Sequence, residues 1–146
     1  MTSLNMVEAI NLALKQEMKK DKTIIVFGED VGEDGGVFRV TDGLAKEFGN
    51  ERVIDTPLAE SGIIGTAIGM AMNGLKPIPE IQFEGFTPPA YDQLISHASR
   101  MRNRSRGRFS CPFVLRFPTG GGIKALEHHS DNPETYFIHT PGLKVV

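Results

Sequence analysis

The sequence predicts an α/β domain, a mainly parallel sheet in three layers with helices on both faces. First, a continuous apolar run from Thr23 to Gly28 (Thr-Ile-Ile-Val-Phe-Gly) reads as a strand buried on both faces. Second, strand-like and helix-like patterns alternate about four times along the 146 residues, the order expected of right-handed parallel crossovers. Third, a short run through Arg52, Val53 and Ile54 reaches Asp55 and Thr56, is broken at Pro57, and leads into a small-residue helix from Ala59 to Asn73 that stops at Gly74. Strand-to-helix turns of this kind lie at the carboxyl ends of parallel strands, where ligands bind. This one carries an acid, Glu60, at its mouth.

The elements follow in order. Residues 6–20 repeat apolar positions at helical spacing (Met6, Ile10, Leu14, Met18), with Asn5 and Glu8 spaced as a capping box and Lys19 and Lys20 suited to the C-terminal dipole. After the strand at 23–28, the acidic, glycine-rich segment from Glu29 to Gly36 reads as a loop. Its spacing fails the EF-hand pattern, because the third position would be Gly32 and the twelfth Thr41. Thr41 to Phe48 reads as a short helix and Val53 to Asp55 as a strand. The helix from Ala59 carries Gly62, Gly65 and Gly69, each costing about 0.8 to 1 kcal/mol against Ala. Close approach of another backbone is the expected compensation. Pro77 to Phe83 reads as a strand with its prolines at the entrance. A helix opens at Pro88 or Pro89 and runs through Tyr91, Leu94, Ile95, Ala98 and Met101. Phe113 to Phe117 is expected to be a strand, Gly120 to Gly122 a flexible turn, Pro133 to Ile138 a short helix, and Leu143 to Val146 the start of a further strand.

Composition narrows the function classes. A net charge of −2 with interspersed signs gives no general attraction to nucleic acid or anionic membrane. The lone Cys111 rules out an internal disulfide and favours a reducing compartment, the cytoplasm or an organelle matrix after processing. No apolar run approaches the roughly 20 residues of a membrane span. The alternating arginines at 100, 102, 104, 106 and 108 lack the interleaved aromatics of a nucleic-acid surface, and suit a solvated helix end or a partner's carboxylates. No phosphate-binding glycine loop occurs.

Two residues stand out chemically. Glu60 in a helix first turn is ordinarily a partner for the dipole, whereas burial beneath an apolar ligand favours the protonated form of a carboxyl. His128 and His129 lack a partner set for zinc. His129, beside Ser130 and Asp131 in a loop after the glycine turn, is either a surface histidine or a general acid/base on a mobile segment.

Six motifs, taken together and in order, carry a family resemblance. They are Phe-Gly-Glu-Asp-Val (27–31), Gly-Gly-Val-Phe-Arg (35–39), Asp-Thr-Pro-Leu-Ala-Glu-Ser-Gly (55–62), Pro-Glu-Ile-Gln-Phe (79–83), Glu-His-His-Ser-Asp (127–131) and Pro-Gly-Leu-Lys-Val-Val (141–146). Along its whole length the chain resembles the β subunit of thiamin-diphosphate-dependent 2-oxoacid dehydrogenases, the E1 component of pyruvate and branched-chain complexes. The resemblance implies that residues 1–146 form a pyrimidine-binding, transketolase-like domain, incomplete at its C-terminus and without the family's second domain. It implies an E1 α subunit as partner in an α2β2 heterotetramer, supplying Mg²⁺ and the diphosphate site, and a lipoyl-bearing E2 acyltransferase as acceptor.

By the same resemblance Glu60 is the acid that hydrogen-bonds the pyrimidine N1′ and activates thiamin diphosphate. Phe86 packs on the pyrimidine, and Leu58 and Gln82 make further cofactor contacts. His129 positions substrate and moves a proton during acyl transfer, and main-chain carbonyls near Phe113 and Val114 contribute to a structural K⁺ site. A transketolase-like thiamin enzyme and a non-catalytic assembly or regulatory module retaining the fold are the other functions such a chain could serve.

Overall fold

The computed structural model describes residues 3–146. Its first half follows the expected order: helix α1 (Met6–Lys20), strand β1 (Ile24–Gly28), helix α2 (Leu44–Phe48), strand β2 (Val53–Asp55), helix α3 (Glu60–Met72) and strand β3 (Lys76–Glu80). Asn5 and Glu8 form the reciprocal capping box, each side chain accepting from the other's backbone N–H at 2.9 Å. The three strands are parallel in the order β2-β1-β3.

All five residues of β1 are buried, and their alternation sorts the core into two layers. Ile25 and Phe27 face Ile63, Ile64, Ala67 and Ile68 of α3. Ile24 and Val26 face Leu14 and Met18 of α1 and Leu44 of α2. The central strand is therefore covered on both faces, which is the three-layer arrangement. Each fully buried Ile or Phe contributes about 1.5–3 kcal/mol. Arg52 ties these layers together, its guanidinium donating to the carbonyls of Met18, Asp21 and Ile24.

Several expectations are corrected. The strand expected over Pro77–Phe83 ends at Glu80, and its prolines alternate along one edge instead of sitting at the entrance. Lys76 donates to the Thr23 carbonyl and belongs to the β1 side, whereas the carbonyls of Pro77 and Pro79 accept from Val114 and Arg116 on the other. Neither proline can return a bond. The expected strand at Phe113–Phe117 accordingly reduces to a single parallel bridge between Glu80 and Arg116, reciprocated only where Ile81 donates to the Arg116 carbonyl at 3.0 Å.

The helix expected from Pro88 to Met101 is broken into a 3₁₀ turn (Pro88–Ala90), a π-helix (Asp92–Ala98) and α4 (Met101–Arg104), with Ser99 donating five residues back to Leu94. The short helix expected from Thr41 starts at Leu44, because Thr41 turns its hydroxyl to the buried Val31 carbonyl. Glu134–Ile138 forms helix α5 as expected, while Leu143–Val146 is not a strand. The glycines of α3 meet no other backbone among the described residues. Gly62 lies near only the Ala59 Cβ, Gly65 near the Gln93 side chain, and Gly69 faces open space.

Candidate functional site

Glu60 is the first residue of α3 and is buried despite its charge, 7% exposed. The strand β2 delivers it there. Past Asp55 the ladder continues for one bond, Thr56 donating to the Gly28 carbonyl at 2.9 Å, before Pro57 turns the chain into the helix. That bond sets Thr56 beside the end of β1, where Glu29 follows Gly28.

Glu29 was read in the sequence only as an acid of a loop. The structure makes it a second buried carboxylate at the same mouth, 5% exposed. Burial raises its proton affinity above the ordinary carboxyl range, and the charges of Glu60 and Asp30 push in the same direction. Both carboxylate oxygens of Glu29 and the Thr56 hydroxyl oxygen are enclosed without a hydrogen-bond partner among the described residues. Enclosed polar atoms left unpaired cost about 1–3 kcal/mol each, so a polar ligand seated there has a reason to bind. The loop is held in place by the Asp55 carboxylate, which accepts from the N–H groups of Gly32 at 2.6 Å and Glu33 at 3.1 Å. Gln82 is tied to the same loop, its amide donating to Asp30 at 2.7 Å.

A second cluster is aromatic. The Phe83 ring lies edge-on to Phe38, Phe86 and His129, with centroids 5.7, 6.0 and 4.3 Å away, and Phe86 meets His129 at 5.4 Å. The Nδ1–H of His129 donates to the Glu127 carbonyl at 2.5 Å, leaving Nε2 free to accept a proton. Gly85 sets how closely this loop approaches: a Cβ there would overlap the backbone of His128. Only a glycine lets the histidine loop lie on the turn that carries Phe86.

The residues singled out in the sequence thus fall into groups. Phe86 and His129 are in contact, and Gln82, next to Phe83 in the chain, is bonded to Asp30, which follows Glu29. Leu58 stands two residues before Glu60 and is 75% exposed, free to meet a ligand or a second chain. Phe113 and Val114 lie apart. Phe113 packs against the α3 side of the core and Val114 is exposed, while its N–H donates to Pro77. Among the described residues no three His, Cys, Asp or Glu converge as a metal site. Besides Glu29, sequence reasoning missed Phe83 and Glu84, the latter buried at 1% exposure. The sequence offered only an acid between Phe83 and Gly85, with nothing to mark it as buried.

Residues 2–146 match the transketolase pyrimidine-binding domain model. The chain belongs to the transketolase pyrimidine-binding domain family. Within this family, it is 62% identical over its full length to the pyruvate dehydrogenase E1 component subunit beta of Acholeplasma laidlawii, covering 45% of that protein. Over 144 residues, 99% of the chain, it is 58% identical to the 3-methyl-2-oxobutanoate dehydrogenase subunit beta of Mycobacterium tuberculosis, covering 41% of it. With the 2-oxoisovalerate dehydrogenase subunit beta of Bacillus subtilis it shares 51% identity over its full length and 45% of the relative. The chain spans less than half the length of these relatives. The family's thiamin diphosphate is a fitting ligand for the mouth described above, where the buried carboxyls of Glu29 and Glu60 are close enough to influence each other and the oxygens of Glu29 and Thr56 lack partners among the described residues.

Proposed function

We propose that this chain is the pyrimidine-gripping part of the β subunit of a 2-oxoacid dehydrogenase E1, decarboxylating pyruvate or a branched-chain 2-oxoacid and passing the acyl unit to a lipoyl group. The observation that carries the proposal is the buried Glu60 at the N-terminus of α3, beside the unpaired oxygens of Glu29 and Thr56, in a chain similar along its whole length to E1 β subunits.

Thiamin diphosphate supplies the electron sink for decarboxylation when bound. The work of this chain's residues is to bind and to handle protons. Glu60 directs its carboxyl to the N1′ atom of the aminopyrimidine and shares a proton with it. Glu29, whose own ionisation is disfavoured by burial and by Glu60, keeps the mouth from holding two free charges. Phe86 and Leu58 offer apolar contact to the pyrimidine. Gln82, fixed by Asp30, keeps its amide oxygen available as an acceptor. His129 orients substrate, and its free Nε2 moves a proton during acyl transfer.

The diphosphate and its Mg²⁺ belong in this proposal to an α chain, in an α2β2 assembly in the cytoplasm that delivers acyl groups to a lipoyl-bearing E2. Carbonyls near Phe113 and Val114 would hold K⁺. The test is reconstitution of the full-length chain with its α chain, Mg²⁺ and thiamin diphosphate. Carbon dioxide release from pyruvate or a branched-chain 2-oxoacid is expected, and ketol transfer with no decarboxylation would contradict the proposal.

A further inference from the structure

Beside His129 lies an open cavity of about 340 Å³, lined by Phe38, Phe83, Glu84, Thr119, the glycine turn 120–122 and Ile123. Its chemistry is unbalanced. Glu84 is 1% exposed, and its Oε1 is enclosed with no hydrogen-bond donor among the described residues. No lysine or arginine lines the cavity. The buried carboxylate four residues earlier, on β3, is by contrast answered: Glu80 is paired with Arg116 at 2.7 Å. Leaving a buried acid unpaired is costly, and a cation placed against it recovers the cost.

The walls say what kind of cation. Converging His, Cys, Asp or Glu ligands for a metal are missing among the described residues, and the volume far exceeds a bare ion. Ring carbons of Phe38 and Phe83 and the His129 imidazole instead flank the acid, a setting that favours an ammonium or guanidinium. Phe38 and Ile123, 41% and 46% exposed, leave an apolar rim around the mouth. A free amine does not need such a rim, whereas a basic side chain on a protein surface does.

We propose that this cavity is a docking socket in which Glu84 receives a lysine or arginine side chain from the α chain, with Phe38 and Ile123 packing against its apolar neighbours. The inference rests on the E1 reading for the identity of the partner. It places a partner's cation in the cavity that His129 also lines.

The test measures the affinity of the full-length chain for its α chain together with the thermal stability of the full-length chain alone. Glu84→Gln removes the carboxyl group at nearly constant shape. The expected result is a loss of affinity of about tenfold or more with no fall in the unfolding midpoint of the free chain, because the carboxylate has no partner among the described residues to lose. Unchanged affinity would overturn the socket, and so would a lowered midpoint, which would mean the acid is satisfied within the chain. Should Glu84→Gln fail to fold, Phe38→Ala at the exposed wall is expected to weaken the α complex, and unchanged affinity there would overturn the proposal. Methylguanidinium or methylammonium, at millimolar concentration, stabilising the wild type but not Glu84→Gln while leaving α binding intact would reassign the cavity to a small cation. If no α chain binds, yet the full-length chain is active, the partner assignment falls and the socket with it. If α binds but no 2-oxoacid is decarboxylated, the E1 reading fails while the affinity comparison still decides the socket.

Discussion

Glu60 and His129 are both proposed to serve the reaction, but the fold holds them in opposite ways. Glu60 sits at a junction of regular elements, β2 running into α3, with Ile63 and Ile64 of the next turn packed against the central strand. His129 sits on an exposed loop whose placement depends on ring contacts with Phe83 and Phe86, on the Glu127 carbonyl and on the clearance at Gly85. An acid that must meet one atom of a rigid ring gains from a fixed frame. A histidine that must meet successive substrates gains from a movable one.

The comparison can be broken at the loop first. Gly85→Ala places a methyl group against the His128 backbone and is expected to lower acyl transfer to lipoamide as far as removing the histidine does, with a stability cost of about 1–3 kcal/mol. Steady-state transfer and thermal unfolding of the reconstituted enzyme check both. Transfer unchanged from wild type would show that Gly85 does not place the loop. His129→Ala is expected to reduce transfer to lipoamide by about 10²-fold or more, while decarboxylation with an artificial electron acceptor survives better. Equal loss in the two assays would remove the division of labour between loop and helix.

The smallest effect sharpens the rigid half. The folded-state proton affinity of Glu29 is raised above its unfolded value, so the fold binds this proton more tightly than the unfolded chain does. Its contribution is fully present below the ordinary carboxyl value and is lost as pH rises through the raised one. Glu29→Gln abolishes that slope. The variant of the full-length chain is therefore expected to gain stability relative to wild type, by about 1 kcal/mol, as pH rises from about 4.5 toward neutrality, measured by denaturant unfolding across pH. A gap that stays constant with pH would show that Glu29 is not perturbed by its burial.

The two halves also differed in how much the sequence revealed. Periodicity was sufficient for α1, β1 and α3, because each buries a face against the others and the apolar spacing records it. The apolar run at 113–117 looked equally strand-like, yet the prolines at 77 and 79 deny it half its ladder. That consequence is visible only once pairing partners are known. The prolines were read for where they begin a strand rather than for which edge they face.

The same limit applies to the site. Glu60 was legible because a strand, a proline and a helix N-terminus surround it in sequence. Glu29 and Glu84 looked like ordinary acids, since their burial is imposed by segments far along the chain, β2 for one and the 119–129 loop for the other. The α3 glycines show the reverse error. Their cost suggested a close backbone neighbour, and the described residues supply none at Gly62, Gly65 or Gly69.

The central claim is that Glu60 activates thiamin diphosphate from a fixed position. The most direct measurement is the rate of C2 proton exchange of thiamin diphosphate in the reconstituted full-length enzyme, wild type against Glu60→Gln. The account predicts a slowing of about 10²-fold or more, with cofactor affinity changed much less. An unaltered exchange rate would contradict it.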